Sequence, residues 1–285
     1  MLVRADESGT HKGATVCALV GYVASPSQWK RFDSDWRKVL RAEGLEAHGF
    51  HGKVFFNRKK IKARERNPYL NWSDYRAKTF HDALLGVMSK WKIIPVGGGV
   101  DVAAFESFSY GEQCALVSWW KKRGLRETSA PVPYLLALRM LLIDAGDATR
   151  SDTDLEFLMA RQNEYEHRAS KAYTDMKKNV PQHDKRFKSF GVAEPVDEPA
   201  LQAADLIAGN YARIWAAWRV ARPQNKEDVR VFKILSRRRT EGLPFAGKAQ
   251  MEELLSDMDR EYPTLRARLE KATPECGPLR SDGLI

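Results

Sequence analysis

The sequence predicts an α/β fold: a mixed five-stranded sheet with helices on both faces. Three observations carry this reading. Two apolar, β-branched runs near the start are joined by a short link, as in an antiparallel hairpin. Two apolar runs in the second half alternate with helical periods, which implies parallel pairing there. Apolar residues make up 43% of the 285 residues, enough for a sizeable core.

The elements follow in order. "LVRADESG" reads as a first strand with a turn after it, and "GATVCALVGYVAS" as a buried second strand. "SPSQWKRFDSDWRKVLRAEG" is a helix capped by Ser25 or Ser27, with Trp29, Phe32, Trp36, Val39 and Leu40 on one face and Gly44 ending it. The next segment is irregular and basic. "NWSDYRAKTFHDALLGVMSKW" is a second amphipathic helix. "KIIPVGGGVDVAAF" is a third strand, and its Pro95 suggests an edge position. Two helices follow, "YGEQCALVSWWKKRG" and "VPYLLALRMLLIDAG". The second is apolar on most sides, so it is expected to be buried or to form an oligomer seam near 132–145.

"TDLEFLMAR" and "RFKSFGVAEP" are the fourth and fifth strands, separated by the helix "EYEHRASKAYTDMKKN". A long helix, "EPALQAADLIAGNYARIWAAWRV", closes the core. "KEDVRVFKILSRRR" and "AQMEELLSDMDREYPTLRARLEKA" are charged and helical. The expected organisation is a core over 1–220 with helical insertions, and a charged helical extension over 221–285 packed on it.

The chemistry concentrates at the two ends of the core. Asp6 and Glu7 close the first strand. Asp205 lies on or beside the buried stripe of the long helix, among small residues, with no Lys or Arg one turn away. An unpaired carboxylate there costs several kcal/mol to desolvate unless something compensates it. The candidates are a distant Arg, a backbone amide or a metal ion. If Asp205 faces Asp6, the two repel by about 1 kcal/mol in water and about 4 at an effective dielectric of 20. A divalent cation reverses that sign, and Mg²⁺ or Mn²⁺ suits such oxygen ligands. An ion pair with a remote Arg is the alternative.

These residues carry a resemblance. "ADESG" at the end of a first strand, with "LQAADLIAG" on a late helix, resembles the domain-of-unknown-function 3800 family. That family has a DESG start and a late Gln-x-x-Asp, here Gln202 and Asp205. "GFHGKVFF" followed by "NW" is similar to a Phe-His-x-x-x-Phe segment with a Trp downstream. The resemblance spans about residues 1–218, with specific motifs at the two ends only. It implies an RNase H-like fold and transfers Asp6, Glu7, Gln202, Asp205 and His51. In one respect the chain departs. Relatives place an acid and a Gly near the end of the fourth strand, where this chain has Ala160 and Gln162. Glu164 follows shortly after. It either reaches the site or is a first-turn acid favoured by the helix dipole.

The expected function is therefore metal-dependent phosphodiester hydrolysis on DNA or RNA. Asp6, Glu7 and Asp205 would be metal ligands, with Glu164 and His51 assisting. A catalytically inactive nucleic-acid-binding or assembly module of the same fold is the alternative. A net charge of +10 favours a polyanionic partner. "NRKKIKARER", flanked by aromatics, offers Arg58, Lys59, Lys60 and Trp72 for backbone contacts and base stacking, and Gln202 for orienting substrate. Cys17, Cys114 and Cys276 are odd in number and widely spaced, as for reduced thiols of a cytoplasmic protein. No signal layout or membrane-length apolar run is present.

Overall fold

The computed structural model describes residues 1–61, 67–117, 131–162, 164–179, 185–239 and 242–261. Expectations for the second half of "YGEQCALVSWWKKRG", for 62–66 and 180–184, for the chain beyond 261 and for Cys276 lie outside the described residues.

One mixed sheet contains β1 (Leu2–Ser8), β2 (Val16–Ala24), β3 (Ile94–Asp101), β4 (Leu155–Ala160), β5 (Phe187–Ala193) and β6 (Phe245–Ala246). Their order is β5-β4-β1-β2-β3-β6. β1 and β3 run antiparallel to β2. β4 is parallel to β1, β5 to β4, and β6 to β3. The expected five strands are present, and the count is corrected by β6. That strand comes from the C-terminal extension and spans two residues, too few to display a period.

The described helices are α1 (Pro26–Ala42), α2 (Gly52–Phe56), α3 (Asp74–Lys90), α4 (Val102–Glu106), α5 (Tyr110–Val117), α6 (Pro133–Asp147), α7 (Glu166–Asn179), α8 (Pro199–Arg219), α9 (Lys226–Leu235) and α10 (Lys248–Glu261). They cover the sheet in two layers. Residues of α5, α6, α7 and α10 build one core, and residues of α1, α3, α8 and α9 build the other. Sandwiched between the layers, β2 is buried along its whole length.

α1 begins with a capping box. Gln28 N–H donates to the Ser25 hydroxyl at 3.3 Å, and Ser25 N–H donates to Gln28 Oε1 at 3.0 Å. Its stripe of Trp29, Phe32, Trp36 and Leu40 is buried. The expected oligomer seam at 132–145 is corrected: Leu135, Leu136, Leu138, Leu141 and Leu142 of α6 are all buried within the chain, against β2 and β3. The glycines of β3 permit that packing. A Cβ on Gly98 would stand 2.7 Å from Met140 Cε and from Pro244 O, and one on Gly99 would stand 2.5 Å from the Tyr211 ring. Pro95 pairs with Tyr22, whereas β6 reaches only Gly99 and Val100, so Pro95 meets no strand on its other side among the described residues.

The described part of the extension, 221–239 and 242–261, is stitched into this frame. Arg239 clasps the buried Asp144 through both guanidinium arms, and Asp144 Oδ2 also accepts from Gly97 N–H at 2.9 Å. The Tyr211 hydroxyl donates to Pro244 O at 2.6 Å. Among the described residues no helix is long and apolar enough to cross a membrane.

Candidate functional site

The parallel strands β1 and β4 end on the same side of the sheet, where the link to β2 and the link to α7 begin. α8 crosses β1 and β2 on one face. These elements and α2 enclose an open cleft of about 740 Å³, into which Asp6, Glu7, His51, Gln162 and Asp205 all contribute.

Asp6 is 8% exposed, and its Oδ1 accepts from Glu7 N–H at 2.8 Å. Burial, then Glu7, then Asp205 push the Asp6 carboxyl well above the usual carboxylate range. Burial is also the main cause raising Glu7. Among the described residues neither acid is paired with a guanidinium. Cys17, buried beside Glu7, is pushed up to about 12, so its thiol is a packing group.

Asp205 is held by the segment before α2. Gly52 N–H donates to its Oδ2 at 2.6 Å, and His51 Nδ1 lies 3.2 Å from the same oxygen. The hydrogen bond to Asp205 raises the His51 pKa and outweighs the burial that would lower it. Gly52 lets the backbone approach this closely, because a Cβ there would stand 3.2 Å from Asp205 Oδ1.

Gln202 sits one turn before Asp205, wholly buried. Its Oε1 accepts from Trp36 Nε1 at 2.9 Å and Phe50 N–H at 2.8 Å, and its Nε2 donates to Pro195 O at 2.8 Å. Gly49 keeps the loop against it with a φ of +65°, where a Cβ would come within 2.6 Å of Nε2. Substrate binding by Gln202 is thus corrected: its polar atoms are spent on fixing the loop that carries His51 and Gly52.

The other expected contacts do not converge here. Glu164 is exposed beside Tyr165 and does not line the cleft. Instead Gln162 takes the position after β4 and donates to Thr10 Oγ1 at 3.0 Å. Arg58 and Lys59 both pair with Asp74, and Lys60 is exposed. Trp72 is buried among Tyr69 and Phe80, with Arg76 over its ring at 4.3 Å, so base stacking by Trp72 is corrected as well. None of these four lines the cleft.

The cleft has other cations. Lys53 lines it beside Gly52, and Arg213 projects from α8, two turns past Asp205. Helical spacing from Asp205 leads to Arg213, so this residue was open to sequence reasoning. Phe56 was not, since nothing in "KVFF" says which of the two rings is exposed.

One other cluster could hold a metal. Ligand atoms of His81, Asp82 and Glu227 lie within 4.8 Å of one another. Its two acids are already paired with Arg230, and Asp82 also with Lys78. In the cleft, the three carboxylates have no guanidinium on them among the described residues, and carboxylate oxygens are the donor type that hard divalent cations take. Comparison of the chain with protein-family models, curated proteins and solved structures finds no match.

Proposed function

We propose that this protein is a divalent-metal-dependent nuclease with an RNase H-like core, hydrolysing phosphodiesters in DNA or RNA. The observation that carries the reading is the meeting of Asp6, Glu7 and Asp205 in one cleft with no guanidinium on them among the described residues. Three further features support it. The antiparallel β1–β2–β3 unit followed by parallel β4 and β5 is compatible with the fold that the domain-of-unknown-function 3800 resemblance implies. His51 is hydrogen-bonded to Asp205 rather than idle in a loop. The net charge of +10 favours a polyanion.

Mg²⁺ or Mn²⁺ held by Asp6, Glu7 and Asp205 would supply Lewis acidity at a phosphoryl oxygen and a more acidic bound water. The chain's own groups divide the remaining work. Gly52 N–H and His51 fix the Asp205 carboxylate in one rotamer. His51, 61% exposed at its side chain, is open to the cleft and can carry a proton at the ring nitrogen facing away from Asp205. Gln202 holds the His51–Gly52 backbone. Lys53 and Arg213 supply positive charge for phosphates.

One observation favours a second reading, an inactive nucleic-acid-binding module of the same fold: Gln162 stands where a further acid is expected. A cleavage assay separates the two. Labelled single- and double-stranded DNA and RNA are incubated with Mg²⁺ or Mn²⁺, with EDTA, and with Asp205→Asn. Cleavage that EDTA and Asp205→Asn both reduce by at least about 10³-fold is expected, as for loss of a charged group acting in the transition state. Intact substrate throughout, with binding retained, would leave the inactive module.

A further inference from the structure

Phe56 is one of the few large apolar side chains exposed on the described surface, at 37%, and it lines the cleft rather than an outer face. Its surroundings are specific. The Arg213 guanidinium carbon lies over its ring, 4.6 Å from the centroid. The rings of Phe55 and His81 meet it edge-on, with interplanar angles of 78° and 89° and centroids 5.1 and 5.5 Å away. The ring is therefore fixed in orientation while part of it stays open.

Arg213 is fixed as well. Its Nε donates to Asp228 Oδ1 at 3.1 Å, which leaves the Nη edge to point onward. Nη1 folds back over Gly209, 3.6 Å from where a Cβ would be, one turn from Asp205. Asp205, Gly209, Ala212 and Arg213 all line the cleft, so this face of the helix is turned to it. Lys53 lies on the same wall as Phe56. From Asp205 to Ala216, the last cleft residue on α8, the floor runs about 16 Å at 1.5 Å per residue.

The geometry points to a single-stranded polynucleotide as the ligand of this cleft, with an unpaired base stacked on the Phe56–Arg213 platform and the adjoining phosphates on Arg213 and Lys53. The physical reason is access to a base face. A fixed aromatic ring and a planar guanidinium each bind a base through its π-face. In a duplex those faces are taken by neighbouring base pairs, whereas a splayed single strand presents them. The three acids next to the platform would repel a bare anion, so base stacking must contribute where phosphate contact alone is opposed. This inference rests on reading the cleft as the nuclease site.

The test is fluorescence anisotropy with one labelled sequence prepared as single-stranded DNA, single-stranded RNA and blunt duplex, in EDTA and again in Ca²⁺. Either single strand is expected to bind about tenfold more tightly than the duplex, and the DNA and RNA arms report which sugar is preferred. Phe56→Leu keeps the bulk and removes the ring face. Arg213→Lys keeps the charge and removes the plane. Each is expected to weaken single-strand binding about tenfold, in line with the loss of one stacked base. Phe56→Trp is expected to retain it, and Lys60→Ala, outside the cleft, to leave it within about twofold. Duplex bound as tightly as single strand, or Phe56→Leu and Arg213→Lys both within about twofold of the parent protein, would overturn the inference. Phe56-dependent binding without cleavage in Mg²⁺ or Mn²⁺ would remove the nuclease reading and leave this one. Cleavage with duplex and single strand bound alike would do the reverse.

Discussion

Single residues in and around the cleft differ in what holds them, and that decides what each substitution does. His51 touches Asp205 but is mostly exposed, so His51→Ala is expected to lower cleavage about 10²-fold, as for lost proton transfer, with little change in melting temperature. Paired activity and melting measurements check this; an active His51→Ala would take His51 out of the chemistry. Gln202 is the opposite case, buried and fully bonded, so its role is to position the loop. His81 makes a pH-dependent contribution of its own. Burial pushes its pKa down to about 4, and its Nε2 has no hydrogen-bond partner among the described residues. Below about pH 6.5 the unfolded histidine takes a proton that the folded one refuses until about pH 4. Stability from this group is therefore full above pH 6.5 and lost as the pH falls toward 4, by up to about 3 kcal/mol. Urea denaturation of the parent protein and His81→Gln across that range should show their difference shifting against the parent. A constant difference would refute it.

Among the elements, α2 shows how a short helix can matter more than its length. Its five residues bring Gly52 N–H to Asp205, Phe55 to a core and Phe56 to the cleft. Gly52→Ala would put a methyl group 3.2–3.4 Å from the Asp205 carboxylate, tighter than ordinary contact. Activity is expected to fall at least tenfold while stability changes by less than about 1.5 kcal/mol, because only a carboxylate at the cleft edge must move. Kinetics and chemical denaturation of the same preparation test that split; equal activity would mean that the rotamer of Asp205 is not critical. α1, α3, α8 and the first five strands were legible because each runs long enough to display its period. α2 and β6 were not: five and two residues show no period, and their conformation is set by what they pack against. Gly98 and Gly99 of β3 are the positions where Met140, Pro244 and Tyr211 come close.

At the scale of the whole molecule, the two cores share a sheet whose outer strand, β6, arrives from the far end of the chain. The Asp144–Arg239 pair ties that end to α6, and Gly97 N–H shares the same carboxylate. Asp144→Ala leaves the half-buried Arg239 guanidinium and the buried Gly97 N–H without their partner and is expected to cost about 2–4 kcal/mol. Thermal and urea unfolding of that variant measure it, and a loss under about 1 kcal/mol would mean that the extension is merely apposed. Several things were determined by the sequence alone: the α/β class, the order of the long elements, and the presence of acids at both ends of the core. Those depend on local periodicity and on residue identity, which the chain carries position by position. Only the tertiary structure decided which charges meet. Arg58, Lys59 and Trp72 turn to Asp74 and to a core, Gln202 is used up by Trp36 and backbone groups, and Lys53, Phe56 and Arg213 line the cleft instead. Contacts between residues far apart in the chain depend on how helices rotate and dock against the sheet, and no local pattern encodes that rotation.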